Sequence, residues 1–192
     1  VMVFNGEIYN HKCLRKELEA ISNRNWRGYS DTETLLVAIE QWGLEETLKK
    51  TTGMFAIALW DKSARTLALV RDRMGEKPLY YGWVDREFVF ASELKSIRKF
   101  PEFSNQIDRK ALALFLQFNS IPAPYSIYKN IFKLQPGCIV ILDAASRLLS
   151  QKIYWSTEKV YENGKDAIYS GKPEHAVDSL ESILSKSIAL QA

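Results

Sequence analysis

The chain begins with apolar residues, and a short polar motif follows them. The apolar run at residues 1–4 predicts a buried strand, and the sequence Asn5-Gly6-Glu7 predicts a turn at the end of that strand. Because a strand-like run begins at Val1 itself, we expect the sequence to start in the middle of a fold.

Two amphipathic helices are predicted between residues 10 and 43. Asn10 is suited to cap the first helix, and Ser30 and Glu33 have the spacing of a capping box at the start of the second. Gly43 is expected to end the second helix. The apolar positions with helical spacing are Leu14, Leu18, Ile21, Leu35, Leu36, Ile39 and Trp42.

Short β-rich runs follow Gly53 and predict an antiparallel meander. These runs are residues 54–60, 66–70, 79–84 and 88–91, with turn residues between them. A short helix is expected at residues 92–100, and a longer helix begins at Asp108 and ends before Pro122. A second pair of strands is predicted at residues 138–142 and 152–155.

The last part of the chain is predicted to hold a linker and one helix. Residues 156–172 are polar, contain two glycines and have no clear periodicity, which indicates a linker. The final helix, residues 173–190, has an apolar face that requires a packing partner.

Composition is typical of a soluble globular protein. The 192 residues are 46% hydrophobic and 26% charged, and a net charge of +3 gives no strong field toward nucleic acid or a membrane. No apolar run reaches the length of a membrane span, so a cytoplasmic location is the default expectation. Two cysteines are too few for a disulfide framework.

The motif Asn5-Gly6-Glu7 is the first candidate site. A side-chain amide beside a glycine N–H offers two neutral donors to one oxygen, which is the layout of an oxyanion hole. Glu7 and Asp31 add two carboxylates, which suit an ammonium group. The alternative is purely structural: Asn-Gly is a common turn dipeptide, Asp31 favours a helix start, and Glu7 is solvated.

The remaining polar residues indicate structural roles. Residues 71–81 place several charges between apolar strands, which predicts an ion network. Cys13 and His11 are two positions apart on a helix and cannot form a couple, and Cys138 lies in an apolar strand. His175 is expected to be solvated, and no metal-ligand spacing occurs.

Ordered motifs along the chain resemble those of glutamine-dependent asparagine synthetases. The segment from Val3 to Asn10 resembles the glutamine-binding segment of that family, and the segment from Ser30 to Leu36 resembles its second glutamine-binding element. Later landmarks keep the same order: Gly53-Met54-Phe55-Ala56, Trp60-Asp61, Arg71 through Tyr81, Phe90-Ala91-Ser92-Glu93, Ile121-Pro122-Ala123-Pro124, Lys133 through Gly137, and Tyr154-Trp155.

The resemblance implies a class II glutamine amidotransferase domain at residues 1–155. Its expected fold is α+β, the four-layer αββα sandwich of N-terminal-nucleophile hydrolases with antiparallel sheets, incomplete at its N-terminal side. Asn5 and Gly6 match the positions that hold the oxyanion, and Glu7 and Asp31 match positions that bind the glutamine α-amino group. The family's N-terminal cysteine is not in the chain, so residues 1–192 alone are predicted to be inactive.

The same resemblance implies the activity of a parent protein. Residues 156–172 would link the amidotransferase domain to residues 173–192, the first helix of a synthetase domain. That domain would use ATP and Mg²⁺ to amidate aspartate with ammonia from L-glutamine, whereas residues 1–192 carry no cofactor or metal site. A homodimer is compatible with the resemblance. The alternatives are an acceptor with another carboxylate, as in polysaccharide synthesis, and a non-catalytic glutamine-binding or interaction module.

Overall fold

The computed structural model describes residues 1–191, which fold into a mixture of helices and strands. The strands are β1 (Met2–Ile8), β2 (Gly53–Asp61), β3 (Thr66–Arg71), β4 (Tyr80–Val84), β5 (Glu87–Ala91), β6 (Ile131–Lys133), β7 (Cys138–Asp143) and β8 (Leu149–Ile153). The helices are α1 (His11–Ile21), α2 (Asp31–Trp42), α3 (Leu44–Lys50), α4 (Leu94–Ile97), α5 (Arg109–Phe118), α6 (Thr157–Asp166) and α7 (Pro173–Gln191). They divide between two compact units.

The first unit comprises residues 1–7 and 54–154 and contains two antiparallel sheets. One sheet has the order β1-β2-β3-β7-β8, and the other has the order β5-β4-β6. In the first sheet, Ile57 pairs with Val70 and Leu69 pairs with Val140. In the second, Tyr81 pairs with Phe90 on one side and with Phe132 on the other.

The predicted single meander is therefore wrong, because its four runs separate into two sheets. After β3 the chain leaves the sheet, and the neighbour of β3 is β7, which arrives from residues 138–143. Strands β4 and β5 pair with each other elsewhere. The predicted pairing of the two last strands is confirmed as β7 with β8, although β8 begins at Leu149 rather than at Lys152.

Apolar side chains from both sheets pack into a common core. Leu69 of β3, Val140 of β7 and Tyr81 of β4 belong to one buried cluster, and Leu134 joins it with no exposed surface. The other buried members are Ala56, Ala58, Leu79 and Cys138. Removing apolar surface from water is the main stabilising term in such a core, so the face-to-face packing fixes the positions of the strands.

β1 corrects two predictions for the start of the chain. The strand continues through Asn5, Gly6 and Glu7, so the predicted turn at this motif is wrong. A Cβ on Gly6 would collide with the carbonyl oxygen of Met54 and lie 2.7 Å from the Cα of Phe55. Glycine therefore allows β1 to lie against β2 rather than to turn away from it. Val3 is 61% exposed, so β1 is not a fully buried strand.

The second unit comprises residues 8–53 and 155–191 of the part that the structure describes. Helices α1 and α2 are confirmed and pack against each other, with Leu14, Leu18 and Leu35 buried. The Ser30 hydroxyl accepts the backbone N–H of Glu33 at 3.2 Å, as the predicted cap requires. Gly43 ends α2 but also precedes α3, which packs on α2 and was not predicted.

A helix lies in the segment that was predicted to be an irregular linker. Helix α6 begins after Ser156, whose hydroxyl accepts the N–H of Lys159 at 3.2 Å, and it has no buried residue. The Ser156 cap stabilises the start of α6, and its polar side chains suit an exposed helix that has no apolar face to bury. Helix α7 is confirmed, and its apolar side chains are exposed. Among residues 1–191, no helix combines the length and the hydropathy of a membrane span.

Candidate functional site

The exposed face of β1 carries two of the predicted site residues. Side chains alternate along a strand, and Val3, Asn5 and Glu7 are exposed whereas the residues between them are partly buried. Residues two positions apart on a strand are separated by about 7 Å. The carboxamide of Asn5 and the carboxylate of Glu7 therefore stand side by side on one face of the strand.

The backbone of β1 directs the N–H of Gly6 away from β2. The Val1 amino group donates to the Trp60 carbonyl at 2.9 Å, and the Trp60 N–H donates to the Val1 carbonyl at 2.8 Å. The Tyr9 N–H donates to the Thr52 carbonyl at 2.9 Å. In an antiparallel pair, residues that face the partner strand alternate with residues that face away. Odd-numbered positions thus face β2, and the N–H of Gly6 points to the opposite edge of β1.

Asn5 is held by a residue distant in sequence. Its Nδ2 donates a hydrogen bond to the Ser92 hydroxyl at 2.9 Å, across 87 residues of chain. Ser92 is half-buried and lies between β5 and α4. Sequence reasoning assigned no role to Ser92, although the motif Phe90-Ala91-Ser92-Glu93 is one of the landmarks of the family resemblance.

Asp31 lies in the second unit at the first position of α2. Its Oδ2 accepts the backbone N–H of Ile8 at 3.0 Å, and its Oδ1 accepts the Thr32 hydroxyl at 3.2 Å. The carboxylate therefore ties the start of α2 to the end of β1. A carboxylate has about four acceptor sites, so these two bonds leave capacity for a cationic ligand.

The structure thus places the predicted site residues in two groups. Asn5, Gly6 and Glu7 are consecutive on one strand of the first unit, and Asp31 belongs to the second unit. None of the four lies in the buried core. Exposure of the amide and of the Glu7 carboxylate leaves them accessible to a small polar molecule.

The charged segment after β3 is held mainly through the backbone. Arg71 donates to the carbonyls of Lys77 and Leu134 at 2.8 and 2.7 Å, and burial lowers the pKa of its guanidinium. Asp72 is 1% exposed and accepts backbone N–H groups from Phe55 at 3.3 Å and from Lys77 at 2.9 Å. Backbone hydrogen bonds to these two buried charged side chains shape the loop, and Asp72 also interacts electrostatically with Arg71.

Cys13, Cys138 and His175 lie on three different elements of the fold. Cys13 is exposed on α1, and Cys138 is 2% exposed in the core, where burial raises the pKa of its thiol. His175 is exposed on α7. Within the described part of the chain, no group of three or more His, Cys, Asp and Glu side chains is placed to hold a metal ion.

The second unit also has an open groove of about 800 Å³ beside the start of α2. Two of its charged side chains are hydrogen-bonded: Arg24 contacts Glu40 at 2.8 Å, and Glu33 accepts the backbone N–H groups of Arg27 and Gly28 at 2.8 and 2.9 Å. The hydrogen bond from Arg27 is the main cause of the lowered pKa of Glu33. The bonds to Glu33 hold the loop before α2.

Comparison with known proteins identifies the same family. A family model described as a glutamine amidotransferase domain matches residues 1–155. Asparagine synthetase (glutamine-hydrolyzing) 1 of Bacillus subtilis is 39% identical over 141 residues, which is 71% of this chain and 21% of that protein. A Methanocaldococcus jannaschii protein, provisionally named asparagine synthetase (glutamine-hydrolyzing) 2, is 35% identical over 180 residues. The match covers 88% of this chain and 34% of that protein.

The chain therefore spans about a third or less of the length of these relatives. Among solved structures, the glutamine phosphoribosylpyrophosphate amidotransferase of Bacillus subtilis shares the fold. The similarity covers 80% of this chain and 29% of that chain, with a TM-score of 0.54 and 18% sequence identity. The mixed α+β fold with antiparallel sheets is thus confirmed. On the family match over residues 1–155, this chain belongs to the class II glutamine amidotransferase domain family.

Proposed function

We propose that Asn5, Gly6, Glu7 and Asp31 bind L-glutamine and take part in hydrolysis of its side-chain amide. The observation that carries the proposal is the geometry of β1. Asn5 exposes its carboxamide, and the adjacent Gly6 directs its N–H away from the neighbouring strand. Two neutral donors at consecutive positions suit an oxygen that becomes negative during acyl transfer.

In the proposed reaction, the thiol of the family's N-terminal cysteine passes its proton to the α-amino group of the same residue, its sulfur attacks the Cδ of glutamine, and the carbonyl electron pair moves onto oxygen. The Asn5 amide and the Gly6 N–H donate to that oxyanion. The carbonyl re-forms as the C–N bond breaks, and the nitrogen leaves as ammonia with the proton that the α-amino group returns to it. Water then hydrolyses the thioester to glutamate and returns the thiol. Cys138 is not assigned this role, because it is buried and its thiol pKa is raised.

Glu7 and Asp31 are proposed to recognise the α-amino group of glutamine. Glu7 is exposed beside Asn5, and Asp31 keeps acceptor capacity after its bonds to Ile8 and Thr32. A charge-assisted hydrogen bond contributes about 1.5 to 3 kcal/mol, so each carboxylate has a measurable effect on affinity.

The wider assignment is supported by the family and by the names of the relatives. We propose that residues 1–155 are part of an amidotransferase domain of the αββα sandwich type, whose family nucleophile, an N-terminal cysteine, is not among them. Residues 156–172, which include α6, then connect it to residues 173–192 of a synthetase domain. The parent activity would be an ATP-dependent amidation of aspartate in the cytoplasm, with Mg²⁺ and ATP bound by the synthetase domain.

Calorimetric titration tests the glutamine site. We expect L-glutamine to bind, and Glu7→Gln and Asp31→Asn each to weaken binding by at least about tenfold, the loss of one charge-assisted hydrogen bond. Glutaramate, which is glutamine without the α-amino group, should bind weakly and with the same affinity to wild type and to both variants. Glu158→Gln, an exposed carboxylate on α6, is the matched control.

Two results would contradict the proposal. Equal affinity for glutamine and glutaramate would remove the role of the two carboxylates. No binding at millimolar glutamine would leave Asn5, Gly6, Glu7 and Asp31 as parts of the scaffold. In the native protein that carries these residues, Asp31→Ala should raise the glutamine concentration required while sparing synthesis from ammonia, and an equal loss of both activities would exclude binding by Asp31.

A further inference from the structure

We infer that Ser92 is a positioning residue for the proposed oxyanion hole: its hydroxyl fixes the rotation of the Asn5 carboxamide. This inference rests on the proposed function. The contact that carries it is the 2.9 Å hydrogen bond from Asn5 Nδ2 to Ser92 Oγ. Both residues belong to the first unit, so the contact lies within one compact body.

An exposed asparagine needs such a partner to act as a donor. The terminal torsion of a carboxamide is broad and roughly two-fold, so rotation exchanges the NH₂ group with the carbonyl oxygen. A carbonyl oxygen turned toward a developing oxyanion would repel it. One Nδ2 hydrogen is directed to Ser92, and the second stays available to a substrate oxygen. In the observed conformation the Ser92 hydroxyl accepts from Nδ2, and this bond holds the donating end of Asn5 in one place.

The backbone on both sides of Ser92 is firmly anchored. Ala91, the preceding residue, pairs with Tyr80 at the end of the β4–β5 ladder. On the other side, Ile97 of α4 is 3% exposed and belongs to a buried cluster with Val84 and Ile131. A hydroxyl carried by such a rigid connection can hold a partner within the small tolerance that catalysis requires.

Steady-state kinetics of glutamine hydrolysis by the native protein test the catalytic effect. We expect Ser92→Ala to lower kcat by about tenfold with less than a twofold change in KM, because one orienting hydrogen bond is lost and substrate contacts remain. Ser92→Thr keeps the hydroxyl and should recover most of the rate. Ser63→Ala makes the same chemical change in the exposed turn between β2 and β3 and serves as the matched control.

A double-mutant cycle separates positioning from a general structural effect. Asn5→Ala should lower kcat by about a hundredfold, the usual effect of removing an oxyanion donor. Adding Ser92→Ala to that variant should lower kcat no further, because Ser92 acts through Asn5. The inference would be overturned if kcat of the double variant were a further tenfold lower than that of Asn5→Ala. An unchanged kcat in Ser92→Ala would also overturn it.

A second measurement keeps this inference separate from the proposed function. In protein labelled with ¹⁵N-asparagine, the side-chain proton of Asn5 that bonds Ser92 should lie downfield of its position in a solvated asparagine amide and be protected from exchange. Ser92→Ala should return that shift to the value of a solvated amide and remove the protection, and Ser92→Thr should restore both. This result supports positioning even if the protein hydrolyses no glutamine, which would contradict only the proposed function. Identical Asn5 signals in wild type and Ser92→Ala would overturn the inference.

Discussion

At the residue scale, Gly6 shows that a dipeptide common in turns, Asn-Gly, can lie within a strand. Asn-Gly favours a turn when the local sequence alone decides. In the folded chain, Gly6 instead lies so close to Met54 and Phe55 that a Cβ has no room. The absence of a side chain at Gly6 thus permits close approach of two strands, and it also leaves the neighbouring Asn5 in extended backbone on the exposed face of β1.

Gly6→Ala should therefore destabilise the protein. The added Cβ would meet the backbone of β2 rather than a flexible side chain, so β1 must shift, and we expect a loss of about 2 to 3 kcal/mol in the free energy of unfolding. Urea denaturation followed by tryptophan fluorescence measures the change. Gly164→Ala is the control: a Cβ there would meet nothing within 4 Å, and inside α6 alanine should stabilise the helix by up to about 1 kcal/mol. Equal stability of wild type and Gly6→Ala would show that β1 can move without cost.

At the element scale, the loop between β3 and β4 depends on one buried carboxylate. Asp72 accepts N–H groups from Met74 at 3.1 Å, Glu76 at 2.9 Å and Lys77 at 2.9 Å. It also accepts the N–H of Phe55 at 3.3 Å, which connects the loop to β2. Because Asp72 is 1% exposed, water cannot replace these bonds.

Asp72→Asn should cost about 3 kcal/mol. The amide keeps one acceptor oxygen and places an NH₂ group against backbone N–H donors, so at least one buried donor loses its partner. Thermal unfolding of the two proteins measures the loss. In the matched control Asp61→Asn, the affected carboxylate is exposed and caps a turn through Ser63 and Ala64, so less than about 1 kcal/mol should be lost. A similar small loss in Asp72→Asn would show that the loop does not require the charged carboxylate.

The sequence predicted helices better than strands at this scale. Helices α1 and α2 have apolar residues at helical spacing and, in α2, a confirmed cap at Ser30. These signals lie within one or two turns of the helix. The division of the strands between two sheets was not predicted, because β3 and β7 pair across about 70 residues and nothing in either strand specifies its partner.

At the scale of the whole molecule, distant parts of the chain close the first unit. Tyr154 is half-buried, and its hydroxyl donates to the Arg71 carbonyl at 2.9 Å, across 83 residues of sequence. Burial raises the pKa of this phenol well above its ordinary value of 10.0. The bond therefore connects the last strand region of the unit to the end of β3 only while the phenol stays protonated.

The contribution of Tyr154 should disappear at alkaline pH. At pH 7, Tyr154→Phe should lose about 1 kcal/mol through the missing hydrogen bond. As the pH rises above 10.0, Tyr154 of the unfolded wild type ionises while the folded phenol keeps its proton, so wild-type stability falls relative to the variant. Urea titrations from pH 7 to pH 11.5 should show the difference shrink and then reverse, and a difference independent of pH would contradict burial of the phenol. The exposed Tyr29→Phe is the control.

The sequence by itself determined the family, the α+β class, the main helices and the core position of Cys138. The signals for these features are ordered motifs, helical spacing and caps, and each of them consists of residues close together in sequence. Only the tertiary structure decided that Asn5-Gly6-Glu7 lies in a strand, that the strands form two sheets, and that Ser92 holds Asn5. These outcomes depend on contacts between residues far apart in sequence. The local sequence does not specify which distant residue will become the partner, because the contact forms only when the chain folds.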